Sequence, residues 1–421
     1  MKYRKKILSN GLRIITVPMK ESQTAIMMVL VEAGSEYEDK KINGLSHFLE
    51  HVCFKGTKNR TGPEIVYELD SLGADNNAFT SEECTGYWAK ARMGDVGKLI
   101  DIISDMYINP IFPEKDIDIE RGVILQEINM YEDMPIRKVW VVHTELLFGD
   151  QPAGRSILGP AENIKTLKRD DFVKYYKSRY IPQNTAVVVA GNINENKVAK
   201  LVEEKFGSLK KGKIIKKPKV IFNQKSPQVK ISTKKSDQTH IVMSFRSFDL
   251  FNKKSRELEV AAAILGGSMS SRLFKKMRDE LGMCYYIKSR NFTATDYGYF
   301  TIWIGVGNDR AIEAVKVLLK ECKKLRDEPI SKKELDKAKN VVLGNFATEL
   351  ETSDSWSRYY GFQEIVHEKI DTPEEYTKKI QAVTADKIQK VLKEVIKNSG
   401  LNLALIGPQT DSAEFEKVLK V

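Results

Sequence analysis

Thr185-Ala-Val-Val-Val-Ala-Gly191 and Leu401-Asn-Leu-Ala-Leu-Ile-Gly407 are two short apolar stretches, each ending in glycine, near the ends of the two halves of a 421-residue chain. Each reads as a closing strand. The segments in front of them run in the same order. A short helix precedes each strand, Arg169 to Arg179 in one half and Ala385 to Lys397 in the other. Further back lie a helical segment and a long charged helix, from Glu114 to about Glu132 and from Lys332 to about Glu351. The halves open on similar apolar strands, Ala25-Ile-Met-Met-Val-Leu-Val-Glu32 and His240-Ile-Val-Met-Ser-Phe245, each leading to a helix; the second helix lies around Leu258 to Leu265. Duplication of one α+β unit is the economical explanation. The expected fold is therefore α+β, with two similar tandem domains, each a mostly antiparallel sheet packed with helices. A lysine- and proline-rich stretch from about Gly207 to Pro227 separates the halves. It divides the chain into a domain at 1–210, a linker at 211–227 and a domain at 228–421.

The chain is too long for one ordinary core, which fits two domains. Hydrophobic residues make up 42% and charged residues 30%, the balance of a globular protein. No apolar run approaches the roughly 20 residues that span a bilayer. The start, Met-Lys-Tyr-Arg-Lys-Lys, has the charge of a secretion signal, but Ile7-Leu8-Ser9-Asn10-Gly11 is a turn with no apolar core behind it. A cytoplasmic chain with no membrane association is expected. Cys53, Cys84, Cys284 and Cys322 are scattered without a C-x-x-C pair and read as buried thiols. The net charge of +11 owes much to runs such as Lys210-Lys211-Gly-Lys213 and Lys216-Lys217-Pro-Lys219. With no aromatic-interleaved basic motif, these read as a solvated linker, and no nucleic-acid partner is expected.

The chemistry concentrates in His47-Phe-Leu-Glu-His51, which holds two of the chain's five histidines. One helical turn separates them, so on a helix both imidazoles share a face and can reach one divalent metal. Glu50 stands one residue before the second histidine, close enough to hold a water bound to that metal. This is the inverse of the commoner H-E-x-x-H order. Ala261-Ala-Ala-Ile-Leu-Gly266, at the equivalent place in the second half, carries no ligand. One half would do metal chemistry and the other would serve it. A catalytic zinc site needs a third protein ligand. Glu120 and Glu127 share a face of the long helix two turns apart, although that spacing also describes a solvated acidic stripe.

His47-Phe-Leu-Glu-His51 with the distal glutamate resembles the M16 (pitrilysin-like) zinc metallopeptidases, in particular the short two-domain branch that includes mitochondrial processing peptidase and its bacterial relatives. The resemblance runs nearly end to end. It takes in Asn10-Gly-Leu-Arg-Ile14, Gly44-Leu-Ser46, Phe54-Lys-Gly-Thr57, Asn77-Ala-Phe-Thr-Ser81, Gly154-Arg-Ser-Ile-Leu-Gly159, and Ser271-Arg-Leu-Phe274 with Arg278 and Tyr285. It implies one zinc per chain on His47, His51 and Glu127, Glu50 as general base, and Glu120 in support. Gln126 stands where many members have another glutamate. Arg278 and Tyr285 match a family pair that reaches substrate and transition state from the metal-free half; on their own they read as a helix arginine and the start of a strand. Asn77, Ala78 and Phe79 resemble the edge strand to which an extended peptide adds, a turn Asn and a core Phe being the plain alternatives. The implied protein is a clamshell-like zinc endopeptidase acting on unfolded peptides or short protein segments, paired as a homodimer or with a related M16 chain. The alternative is a non-catalytic or weakly active partner subunit of a two-chain peptidase.

Overall fold

In the computed structural model, which describes residues 1–366 and 369–421, the strands form two sheets. The first contains β1 (Arg4–Ile7), β2 (Arg13–Pro18), β3 (Thr24–Val31), β4 (Asp75–Thr80), β5 (Thr85–Arg92) and β6 (Thr185–Gly191), ordered β1-β2-β6-β3-β5-β4. The second contains β7 (Gln228–Thr233), β8 (Gln238–Ser247), β9 (Cys284–Thr293), β10 (Gly298–Gly307) and β11 (Leu401–Gly407), ordered β7-β11-β8-β10-β9. Apart from β1, the two orders agree position for position, so the duplication inferred from the sequence is present in the topology. Closing strand β6 inserts between β2 and β3, and β11 between β7 and β8, each parallel to the first of its neighbours and antiparallel to the second. The remaining pairings are antiparallel. A closing strand that arrives from a long helical excursion, with no hairpin turn, is free to pair in parallel.

The compact units do not follow the order of the chain. One comprises Met1–Ile128, Ser156–Pro218 and Glu349–Asp371; the other comprises Asn129–Arg155, Lys219–Thr348 and Thr372–Val421. These units cut across the expected division at 211–227, because each half of the sequence lends a helix to the sheet of the other. Pro135–Phe148 packs on β11, β7 and β8, and Ser353–Val366 packs on β6, β3 and β2.

Each sheet is apolar on both faces, which is why its inner strands read as continuous hydrophobic runs. In the first unit Met27, Val29, Val187 and Val189 face a core built from helices of the first half. The alternating residues Met28, Leu30 and Val188 face Trp356, Tyr360 and Ile365 of the lent helix. That helix approaches closely at Gly361, where a Cβ would stand 2.6 Å from Leu30 Cδ1. In the second unit Val139 of Pro135–Phe148 packs on Val242 and Ile406.

The basic stretch is less solvated than its composition suggests. Gln183 and Gly212 exchange two hydrogen bonds of 3.0 and 3.1 Å. Lys217 is buried in ion pairs with Glu36 and, at 3.0 Å, with Glu83. A buried carboxylate needs a partner, and here the linker supplies it. Among the described residues no helix is long and apolar enough to cross a membrane.

Candidate metal centre

His47-Phe-Leu-Glu-His51 lies in the helix Leu45–Val52. Phe48, Leu49 and Val52 are fully buried, each contributing on the order of 1.5–3 kcal/mol, and Phe48 packs edge-on against Phe172 at 4.9 Å. The start of the helix is tightly specified. Gly44 has φ +101, and a Cβ there would stand 2.6 Å from the Leu158 carbonyl; at Gly159, φ +69, it would stand 2.2 Å from the Asn43 carbonyl. The two backbones cross where only glycine fits. Just before them, the buried Glu38 accepts hydrogen bonds from the Gly44 and Ser46 amides, at 2.8 and 2.6 Å, and from the Asn43 side chain at 3.0 Å. A carboxylate there satisfies open helix N–H groups and complements the helix dipole. Burial pushes its pKa up to about 7.

The long helix Glu114–Asp133 faces this motif with a mixed stripe. Ile117, Glu120 and Ile124 are buried, and Glu127 continues the stripe at helical spacing. The acidic pair therefore lies on the inward face, not on a solvated one. Pro135 starts the next helix and holds Met134 extended, which bars continuation of the long one past Asp133.

His47 Nε2 and His51 Nε2 lie 3.5 and 3.8 Å from Glu127 Oε2, and the three donor groups fall within 4.8 Å of one another. A tetrahedral ion with ligands at 2.0–2.1 Å needs edges of about 3.3–3.4 Å, so the donor set fits zinc in type and spacing. His51 Nδ1 faces Glu120 Oε2 at 3.1 Å, the arrangement that leaves Nε2 free to ligate. His47 Nδ1 is buried with no hydrogen-bond partner among the described residues. Burial, with His51 adjacent, pushes the His47 pKa down to about 3, which keeps this imidazole in the neutral, ligating form. Three carboxylates, Glu50, Glu120 and Glu127, gather here, and among the described residues the one ammonium paired with them is Lys55, on Glu120. With the carboxylates ionised, a divalent cation balances the cluster.

Glu50 Oε2 accepts a 2.5 Å hydrogen bond from Thr80 Oγ1. Oε1 has no hydrogen-bond partner among the described residues. Burial raises the Glu50 pKa, opposed by the Thr80 hydroxyl and His51 and reinforced by Glu127. Thr80 ends β4, an edge strand that pairs with β5 and, among the described residues, with no other strand. The strand pleat separates the side chains expected to meet substrate. Thr80 reaches Glu50 and Ala78 packs on the core shared with the metal-motif helix. Phe79 points the other way, 5.4 Å from Phe362 and beneath Arg358, so its ring has a packing role. Asn77 is exposed and its side-chain oxygen accepts from the Ala78 amide. Sequence reasoning missed Thr80, Lys55 and Glu38. Period-two alternation from Ala78 to Thr80 was the one available signal.

A family model described as Insulinase (Peptidase family M16) matches residues 13–161, and one described as Peptidase M16 inactive domain matches 166–342. A protein of Bacillus subtilis (strain 168), named uncharacterized zinc protease YmxG, is 31% identical over 95% of this chain and 97% of its own. The chain belongs to peptidase family M16. A Rickettsia bellii (strain RML369-C) protein named uncharacterized zinc protease is 33% identical over 95% of this M16 chain and 96% of its own length. The crystal structure of a protease from Helicobacter pylori shares the fold with a TM-score of 0.91 at 23% identity, covering 97% of this chain and 99% of that one. The M16 match spans His47, Glu50, His51, Glu120 and Glu127, and the M16 inactive-domain match spans Arg278 and Tyr285. In this M16 chain the latter two form a unit of their own. Arg278 Nη1 donates to the Tyr285 carbonyl at 2.9 Å, and the guanidinium stacks on the rings of Phe274 and Tyr285. The Tyr285 side chain is exposed.

Proposed function

We propose that this M16 chain is a zinc-dependent endopeptidase that hydrolyses peptide bonds in unfolded peptides or short protein segments, with one zinc on His47, His51 and Glu127. The observation that carries this reading is the placement of Glu50: a buried carboxylate beside the donor cluster, held by Thr80 at one oxygen and open at the other. A zinc ion there would supply Lewis acidity to the scissile carbonyl and to water.

The protein's own groups do the rest. Glu50 Oε1 accepts a proton from the attacking water and returns it to the leaving amine nitrogen. Thr80 keeps that carboxylate from swinging away. An extended peptide adds to the open edge of β4 at Asn77, Ala78 and Phe79 through backbone hydrogen bonds, a mode indifferent to sequence. Glu120 holds the His51 tautomer. Arg278 and Tyr285 serve as donors to substrate and to developing negative charge, a role supported by family membership. A cytoplasmic location and pairing with a second chain, identical or a related M16 chain, belong to the same proposal; light scattering tests the pairing.

The purified chain is expected to cleave unstructured peptides, to lose cleavage on chelation, and to regain it with zinc. Zinc-replete protein that cleaves no member of a broad peptide library contradicts the enzyme reading and favours the partner-subunit one.

A further inference from the structure

We propose that Lys55 is a positioning residue for His51, acting through Glu120; the inference rests on the zinc reading of His47, His51 and Glu127. Lys55 Nζ lies 2.5 Å from Glu120 Oε1, and Glu120 Oε2 lies 3.1 Å from His51 Nδ1. The Glu120 carboxylate is nearly buried and is held at both oxygens.

Local geometry explains why the lysine stands there. The helix Leu45–Val52 runs on into a tighter turn at Cys53–Lys55. His51 and Lys55, four residues apart, therefore rise on one side. The backbone after them is pinned. Gly62 packs so closely on Lys55 that an added Cβ would stand 3.1 Å from its carbonyl oxygen. Thr57, Asn59 and Arg60 all bond to Asp105, at 2.6 to 2.9 Å. The backbone that carries Lys55 is thus fixed, and its half-buried side chain reaches Glu120 from there.

A carboxylate tied at one oxygen can rotate about its last torsion. Tied at both, it keeps Oε2 aimed at His51 Nδ1, which fixes the proton on that nitrogen and turns Nε2 toward Glu127. His47 has no such tether, since its Nδ1 has no partner among the described residues. The two histidines are held differently: His47 by burial, His51 by a relay that ends on Lys55.

Simple electrostatics predicts the opposite sign. A positive side chain beside a cation site repels the cation, so its removal should tighten binding. Positioning predicts that removal loosens it. The sign of one measurement separates the two.

The test is the zinc dissociation constant of the full-length protein, measured by competition with a chromophoric chelator at fixed pH and ionic strength. Lys55→Met is expected to weaken zinc binding about 10-fold, within the 10–100-fold typical of groups behind a ligand. Lys55→Gln acts in the same direction, and Lys55→Arg, which keeps donor and charge, restores most of the affinity. In a Glu120→Gln background Lys55→Met adds nothing further, because the relay is already cut. Affinity in Lys55→Met equal to or tighter than the wild type overturns the proposal and leaves the ligand set intact. An undiminished effect in the Glu120→Gln background overturns it too. A wild-type chain that binds no zinc removes the zinc reading itself, and the inference with it.

Discussion

Glu50→Gln is expected to lower kcat for peptide cleavage by about 10²–10⁴-fold, the usual scale for loss of a positioned base, while zinc stays bound. The substitution is nearly isosteric. The amide oxygen still accepts from Thr80 Oγ1, so the side chain keeps the place it has beside β4. What disappears is the carboxylate oxygen able to take a proton. The metal donors are untouched, because Glu50 is not among the three groups that converge. A variant that loses turnover and zinc together would assign Glu50 to holding the metal instead. Steady-state kinetics paired with metal analysis separates the two results.

His51→Ala is expected to strip zinc from the purified chain, weakening binding by more than the roughly 10–100-fold cost of a change behind the ligands. Two consequences combine. One nitrogen donor is lost from a set of three, and Glu120 loses its tether at Oε2 while remaining paired with Lys55 at Oε1. His51 is partly exposed, unlike the buried His47, so truncation opens no sealed cavity. The metal-free variant should melt close to the metal-free wild type. Zinc titration read by metal analysis, beside thermal unfolding of both apo-proteins, checks this. Wild-type zinc content in the variant would mean that the ion sits elsewhere.

Much of the fold was legible in the sequence where a signal is local. The closing strands Thr185–Gly191 and Leu401–Gly407 have the bounds their apolar runs suggest, and the helix Arg169–Arg179 falls where its pattern puts it. Duplication followed from order alone and survives in the strand order. The exchange of Pro135–Phe148 and Ser353–Val366 was not legible. An apolar helix face declares that it needs a sheet, but nothing in its spacing says which sheet.

The same limit divides the candidate site. His47 and His51 share one helix, so their convergence could be read from spacing. Glu120 and Glu127 were ambiguous as a pair, although Ile117 and Ile124 continue the same inward stripe. Thr80 and Lys55 reach carboxylates on other elements; local spacing shows on which side each rises, but not the carboxylate it meets. Phe79 marks the reverse case: a conspicuous aromatic in the expected substrate strand whose ring packs on Phe362. Lys217, counted among solvated lysines by composition, answers a buried glutamate.

The measurement that bears most directly on the account is anomalous diffraction at the zinc edge from crystals of the zinc-loaded chain. One strong peak per chain within bonding distance of His47 Nε2, His51 Nε2 and the Glu127 carboxylate, with Glu50 adjacent but unbound, is the predicted result. A peak away from these three residues, or none in zinc-saturated crystals, would contradict it.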